Sequence, residues 1–283
     1  MQQGYGLEGE FLERTSRVGG ARFFDADFRE HPDDVRARIN SWVSGGTKGK
    51  IPELLPAGSL SSDARIVLVN AVYLRATWRT PFLPERTHPI TFHAPSGDTE
   101  VRAMHQTETL LHRETSGARV VALPYEGGLE LLVVLPKTKD GISALLANES
   151  LAEWTADMSS ASVALALPKF ETSRSSDLVA ALVTLGVASA FDPKQADFSG
   201  ISPRAKDPSA PLFIGMVRHS ARISVDEKGT EAAAATAIGL KVGAAARAET
   251  PIPFVVDRPF LFFVRHAASH TVLFAGRVDD PRS

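Results

Sequence analysis

The stretch VDEKGTEAAAATAIGLKVGAAARAE, residues 225–249, lies between segments that read as strands, yet it is almost free of bulky side chains and contains no proline. Three readings compete for residues 229–247. As a helix it would use alanine, the best helix former, with Thr230 and Glu231 at its start. Gly239 and Gly243 interrupt that helix, and it has no apolar face to dock, which leaves it marginal in water. As a linker it is short of serine and proline, and core strands rather than a new domain follow it. The third reading takes alternate residues. Thr230, Ala232, Ala234, Thr236, Ile238 and Leu240 are all small or apolar, while Glu231 and Lys241 belong to the other set and can face water. Such a segment can stand as an exposed loop and can also enter a sheet as a new strand, with no charge buried and no ladder hydrogen bond lost. Gly229 supplies the hinge, because glycine alone takes up any backbone angle cheaply.

The flanking chain has the elements to receive such a strand. Residues 65–74 form a near-continuous β-branched run, which predicts a strand buried on both faces. Further strands are expected at residues 89–94, 118–125 and 129–135, with Gly127 and Gly128 as a hairpin turn, and at residues 161–171. Two more close the chain at residues 260–266 and 271–278. A first helix is expected over residues 32–43. Pro32 suits its first position, Asp33 and Asp34 suit the positive end of its dipole, and Gly45 with Gly46 can end it. Val35, Ile39, Trp42 and Val43 share one face, so this helix should lie on something flat and apolar. Helices are also expected at residues 142–158 and 176–185, the latter stopped by Gly186. Long strands that outnumber the helices predict an α+β fold with large mixed or mostly antiparallel sheets.

Composition narrows the functions. The net charge of −2 and the absence of a basic patch give no case for nucleic acid. No apolar run has the length of a membrane span, and the first residues lack the pattern of a signal peptide. With no cysteine, disulfides, thiol catalysis and thiolate metal sites are excluded. There is no G-x-S-x-G elbow and no H-E-x-x-H; His105 and His112 are read as lying on a strand and its neighbour. SGGTKGKI, residues 44–51, lacks the first glycine of a phosphate loop, and Ile51 stands where a magnesium-binding hydroxyl belongs, so a tight turn is expected. A hydrolase would have to assemble its triad in space with no motif to mark it.

VDEKGTEAAAATA, residues 225–237, resembles the hinge of the reactive-centre loop of the serpins, the serine protease inhibitors that trap a target by loop insertion. INSWV and GGTKGKI (residues 39–43 and 45–51) resemble the end of that family's sheet-crossing helix, and LVNAVYLRATWRTPF (68–82) its central strand and following turn. LPKFE (167–171), ADFSGIS (196–202), VRHSARISVDEKG (217–229), DRPFLFFV (257–264) and TVLFAGRV (271–278) are similar to family signatures in the same order.

The resemblance implies a single serpin domain over residues 1–283, with an exposed reactive-centre loop at about 227–250 and no enzyme activity of its own. A protease would attack the loop as a substrate, and the freed upstream segment would enter the main sheet and drag the acyl-enzyme with it. The hinge residues would be Glu227, Gly229, Thr230, Glu231, Ala232, Ala233, Ala234, Ala235 and Thr236. Counting from the hinge places the attacked bond at Gly243–Ala244, which favours elastase-like or subtilisin-like targets. Lys241 and Arg247 are the alternatives, and either would call for a trypsin-like target. Asn70 and His219 match the polar pair where the strands must part, and Trp78 matches the tryptophan where insertion begins. No cofactor or metal, no nucleic acid and no membrane is implied. A monomer is expected, and an extracellular setting is the family's habit. QQGYGLEGEFL, residues 2–12, resembles a segment that several helices and strands precede in the family, so about a quarter of the family's length, including N-terminal helices, is expected to be missing, leaving an exposed apolar sheet face. A serpin fold without inhibitory activity, or an inert remnant, is the alternative.

Overall fold

The computed structural model describes residues 1–17, 22–139, 141–207, 209–230 and 250–282. From the amino end the elements are helices α1 (Gly9–Arg17) and α2 (Pro32–Gly46), then strands β1 (Ile66–Tyr73), β2 (Ala76–Thr77), β3 (Thr87–Ala94) and β4 (Gly97–Glu114). There follow β5 (Ala118–Pro124), β6 (Leu129–Pro136), α3 (Ile142–Asn148), α4 (Leu151–Thr155), β7 (Ser159–Pro168) and β8 (Phe170–Asp177). The chain continues through α5 (Val179–Thr184), β9 (Ile214–Asp226), β10 (Gly229–Thr230), β11 (Ile252–Val255), β12 (Phe260–His266) and β13 (Val272–Val278). These elements fall into two compact units: Met1–Tyr73 with Ser173–Arg222, and Leu74–Thr172 with Ile223–Ser283.

In the first unit α2 lies on β1, as its apolar face requires. Val35 and Val43 are buried in one apolar cluster, and Ile39, with Val67, Val69 and Ala71 of β1 and Met216 of β9, is partly buried against it. Burying each such aliphatic side chain stabilises the fold by roughly 1.5–3 kcal/mol. Trp42 does not join them; it is largely exposed and meets Phe24 edge-on. The helix runs through both glycines before Thr47 turns the chain. Thr47 donates to Val43 O and accepts from Ile51 N, and Lys48 and Gly49 take positive φ, so residues 44–51 are a helix end and a turn. Asn40, on the buried side of α2, fastens the next segment by accepting from Leu54 N and Leu55 N and donating to Leu55 O.

β1 pairs with β9 in parallel, from Ile66 opposite Ile214 to Tyr73 opposite Arg222. The expectation that β1 is buried on both faces is not met. Val67, Val69 and Ala71 turn toward α2, but Leu68 on the opposite face is 44% exposed and Asn70 beside it is exposed as well.

In the second unit a mixed sheet runs in the order β11-β7-β4-β5-β6-β12-β13, with β3 paired to β4. β4 is the spine: it is antiparallel to β3 through its first half, to β7 through its second, and to β5 at its end. His105 and His112 both lie on β4 rather than on neighbouring strands. β5 and β6 are sealed on both faces. Val121, Leu123, Val133 and Leu135 enter one core with Phe92, Phe254, Phe260 and Phe262, while Val120 and Val134 enter another with Ile142, Leu145 and Trp154. Arg265 of β12 and Glu130 of β6 are direct cross-strand partners, buried together with Nε and Oε1 2.6 Å apart.

Two helix expectations need correction. Residues 142–158 form two short helices, because Ser150 and Glu153 make a reciprocal capping box that begins α4 afresh. Between them, Glu149 accepts from Thr115 Oγ1, Ser116 Oγ, Gly117 N and Trp154 Nε1, holding that residue extended. The helix expected from residue 176 starts at Val179, since β8 extends to Asp177, whose side chain accepts from Val179 N.

Candidate functional site

The site is built in the second unit where β9 ends. Asp226 and Glu227 lead into a turn, and Gly229 and Thr230 then form β10 with a partner on each side. Thr230 opposes Val225 of β9 and Ala76 of β2, and Gly229 opposes Asp226 and Thr77, all antiparallel. Beyond Val225 and Asp226 of β9, two further residues of the quoted stretch are therefore already sheet members, flanked on both edges.

Each has a physical reason to be what it is. Gly229 takes φ of +143°, and a Cβ built there would stand 2.1 Å from the carbonyl oxygen of Ala76 and 2.9 Å from Trp78 N. Backbone angle and close approach both demand glycine. Thr230 is fully buried, and its hydroxyl lies 2.6 Å from the Tyr125 hydroxyl. Burial pushes the Tyr125 phenol above its ordinary pKa, and the hydrogen bond with Thr230 offsets part of that, so the phenol stays protonated and able to donate.

Trp78 is the floor of this seat. Its backbone N–H donates to Lys228 O and its indole Nε1 to Asp226 O, at 3.0 and 2.8 Å, so it grips the chain on both sides of Glu227. The Tyr125 ring stacks on it with centroids 4.2 Å apart and planes within 6°. Glu227 is a strut: its carboxylate accepts from Thr87 Oγ1 and pairs with Lys169 Nζ, each at 2.9 Å. Burial opposes its ionisation, but the hydrogen bonds from Lys169, its own backbone N–H and Thr87 outweigh that and hold its pKa below the usual carboxylate value.

Asn70 and His219, in the first unit, are direct register partners across β1 and β9. Asn70 is exposed and His219 half-buried, so neither is a sealed core residue. Glu231, Ala232, Ala233, Ala234, Ala235, Thr236, Lys241, Gly243, Ala244 and Arg247 lie outside the described residues. Tyr125, Lys169 and Thr87 escaped the sequence reading. Tyr125 reads as the end of a strand and Lys169 as part of a motif, and neither type nor spacing says that both turn toward residue 227 or 230.

Among the described residues no group of three or more His, Cys, Asp or Glu side chains could hold a metal. Nor is any helix there long and apolar enough to cross a membrane. Gly229 and Thr230, paired as a short strand on both edges, belong to the stretch whose alternation suits a sheet member. The family described as Serpin (serine protease inhibitor) matches residues 1–281, and the chain belongs to it. The leukocyte elastase inhibitor of Equus caballus is 37% identical over 98% of this chain and 74% of its own length. Serpin48 of the insect Tenebrio molitor superposes with a TM-score of 0.85 at 31% identity, covering 99% of this chain and 73% of that one. Native protease nexin-1, solved with heparin, does so at 0.86 and 30%, covering 99% and 75%. These matches lend no support to the expected extracellular setting.

Proposed function

We propose that this chain is a suicide-substrate inhibitor of serine proteases rather than a catalyst, with residues 227–250 as bait and spring and residues 1–283 acting as one inhibitory domain. The observation that carries the reading is the seat of Gly229 and Thr230, paired antiparallel on both edges. β9 runs without a break from Ile214 to Asp226; β8 also pairs with it, and β1 is its parallel partner from Ile214 to Arg222. After cleavage the chain beyond Thr230 extends β10 by parting β1 from β9. Continuing the two registers in steps of two sets Ala232 opposite Ile223 and Leu74, Ala234 opposite Ala221 and Val72, and Thr236 opposite His219 on one side and Asn70 on the other. Asn70 and His219 face each other before cleavage, and Thr236 takes its place between them afterwards. The inward set of the inserted strand is the set that Thr230 begins, every member small or apolar and none charged.

The attacking serine forms an acyl-enzyme with the residue before the cut bond, and the inhibitor wins if insertion outruns deacylation. Small inward residues serve that race. We place the bond at Gly243–Ala244, with Lys241 and Arg247 as alternatives. The small residue there and the elastase-inhibitor relatives favour an elastase-like or subtilisin-like target over a trypsin-like one, met by a monomer. Incubation with a panel of these three protease classes should give a covalent adduct that survives denaturing electrophoresis. Cleavage of the loop without any adduct would leave a family member that does not inhibit.

A further inference from the structure

Away from the seat of Thr230, two imidazoles meet on the β3–β4 hairpin. His88 stands directly opposite Ala103, and His105 lies two positions further along β4, so the two project from one face as a diagonal pair. Their ring centroids are 5.5 Å apart with planes inclined at 42°. Nδ1 of His105 lies 3.0 Å from Ala103 O and 3.2 Å from Arg86 O. A carbonyl oxygen only accepts, so Nδ1 carries the proton and Nε2 keeps a free lone pair. This is the outer-shell arrangement that fixes the tautomer and orientation of metal-binding histidines.

The spacing fits an ion. A tetrahedral metal bonded to two imidazole nitrogens at about 2.0–2.1 Å lies about 3.2 Å from each ring centre, which puts the centres about 5.2 Å apart. The observed separation is a few tenths of an ångström wider. The surroundings also suit it: His88 is exposed, and Ala103 beneath has no bulk to block an approach.

We propose that His88 and His105 form a two-ligand surface chelate for a divalent late transition metal, zinc, nickel or copper, with water completing the coordination. Imidazole suits these three ions, and the open positions make the site a reversible binder rather than a structural one. Thr87, the neighbour of His88, is the residue that donates to Glu227, so the ion would sit one residue from that strut.

Equilibrium dialysis of the full, untagged chain against zinc or copper chloride in a non-chelating buffer tests the site. The chain should bind about one equivalent, with His88→Ala and His105→Ala each weakening it by about tenfold or more and His31→Ala leaving it unchanged. His105→Asn supplies a side-chain N–H in place of Nδ1 but has no Nε2; it should keep the wild-type circular dichroism and lose the metal. If these three hairpin variants hold the ion as tightly as the wild type, the two rings merely touch and the proposal is overturned.

Discussion

Gly229, Thr230 and Glu227 show how much the seat depends on single atoms. Gly229→Ala brings a methyl against the Ala76 carbonyl and strains the backbone, so urea unfolding should show a loss of about 1–3 kcal/mol. An unchanged midpoint would mean that β10 is not held as described. Tyr125→Phe leaves the buried Thr230 hydroxyl without its partner, a cost of about 1–3 kcal/mol. Thr230→Val in the Tyr125→Phe background should recover part of that loss, since both polar groups are then gone; a purely additive double-mutant cycle would deny the bond. The pH dependence follows from Glu227. Its folded pKa is depressed, so its contribution is present above the ordinary carboxylate range and fades as the pH falls through the lower folded value. Glu227→Gln should flatten that part of the stability–pH curve, and a curve of unaltered slope would show that the strut is not ionised.

Among the elements, the buried Arg265–Glu130 pair is the one where removal of a single partner should hurt most. Arg265→Met alone strands a buried carboxylate at a cost of about 3–5 kcal/mol, whereas Arg265→Met with Glu130→Leu should come back close to the wild type. Thermal melts of the two variants check this, and equal losses would contradict it. The elements also show what could be read in advance. β5, β6, β12 and β13 were legible because unbroken apolar runs admit one reading, and α2 because its proline, acidic first turn and apolar stripe agree. β4 was not. Over its eighteen residues it serves three partners and its burial pattern changes, so no single period marks it. The break between α3 and α4 was present in the sequence as the serine–glutamate spacing of a capping box, masked by an apolar pattern that runs across it. Of the seat, Gly229, Thr230 and Trp78 were legible by type and order, while Tyr125 and Lys169 depend on long-range pairing that a linear pattern does not carry.

For the whole molecule, the insertion proposed above requires a native state that is not the most stable one open to its own chain. β1 and β9 hold eight positions of direct parallel pairing that must be given up for an inserted strand to form antiparallel ladders with both. Thr230 is fully buried, so Thr230→Arg puts a charge where the inserted strand must start. That variant should still be cut by an elastase-like protease while its yield of covalent adduct collapses. A variant that traps as well as the wild type would show that the inward set has no part in the race with deacylation. The most direct test of insertion itself needs no protease to be trapped. The chain is nicked once within residues 231–249 by limited proteolysis and its thermal unfolding is compared with that of the intact chain. The account predicts a rise in Tm well beyond the 2–4 °C that about 1 kcal/mol would produce in a chain of this size. A nicked chain that melts at the temperature of the intact one would contradict it.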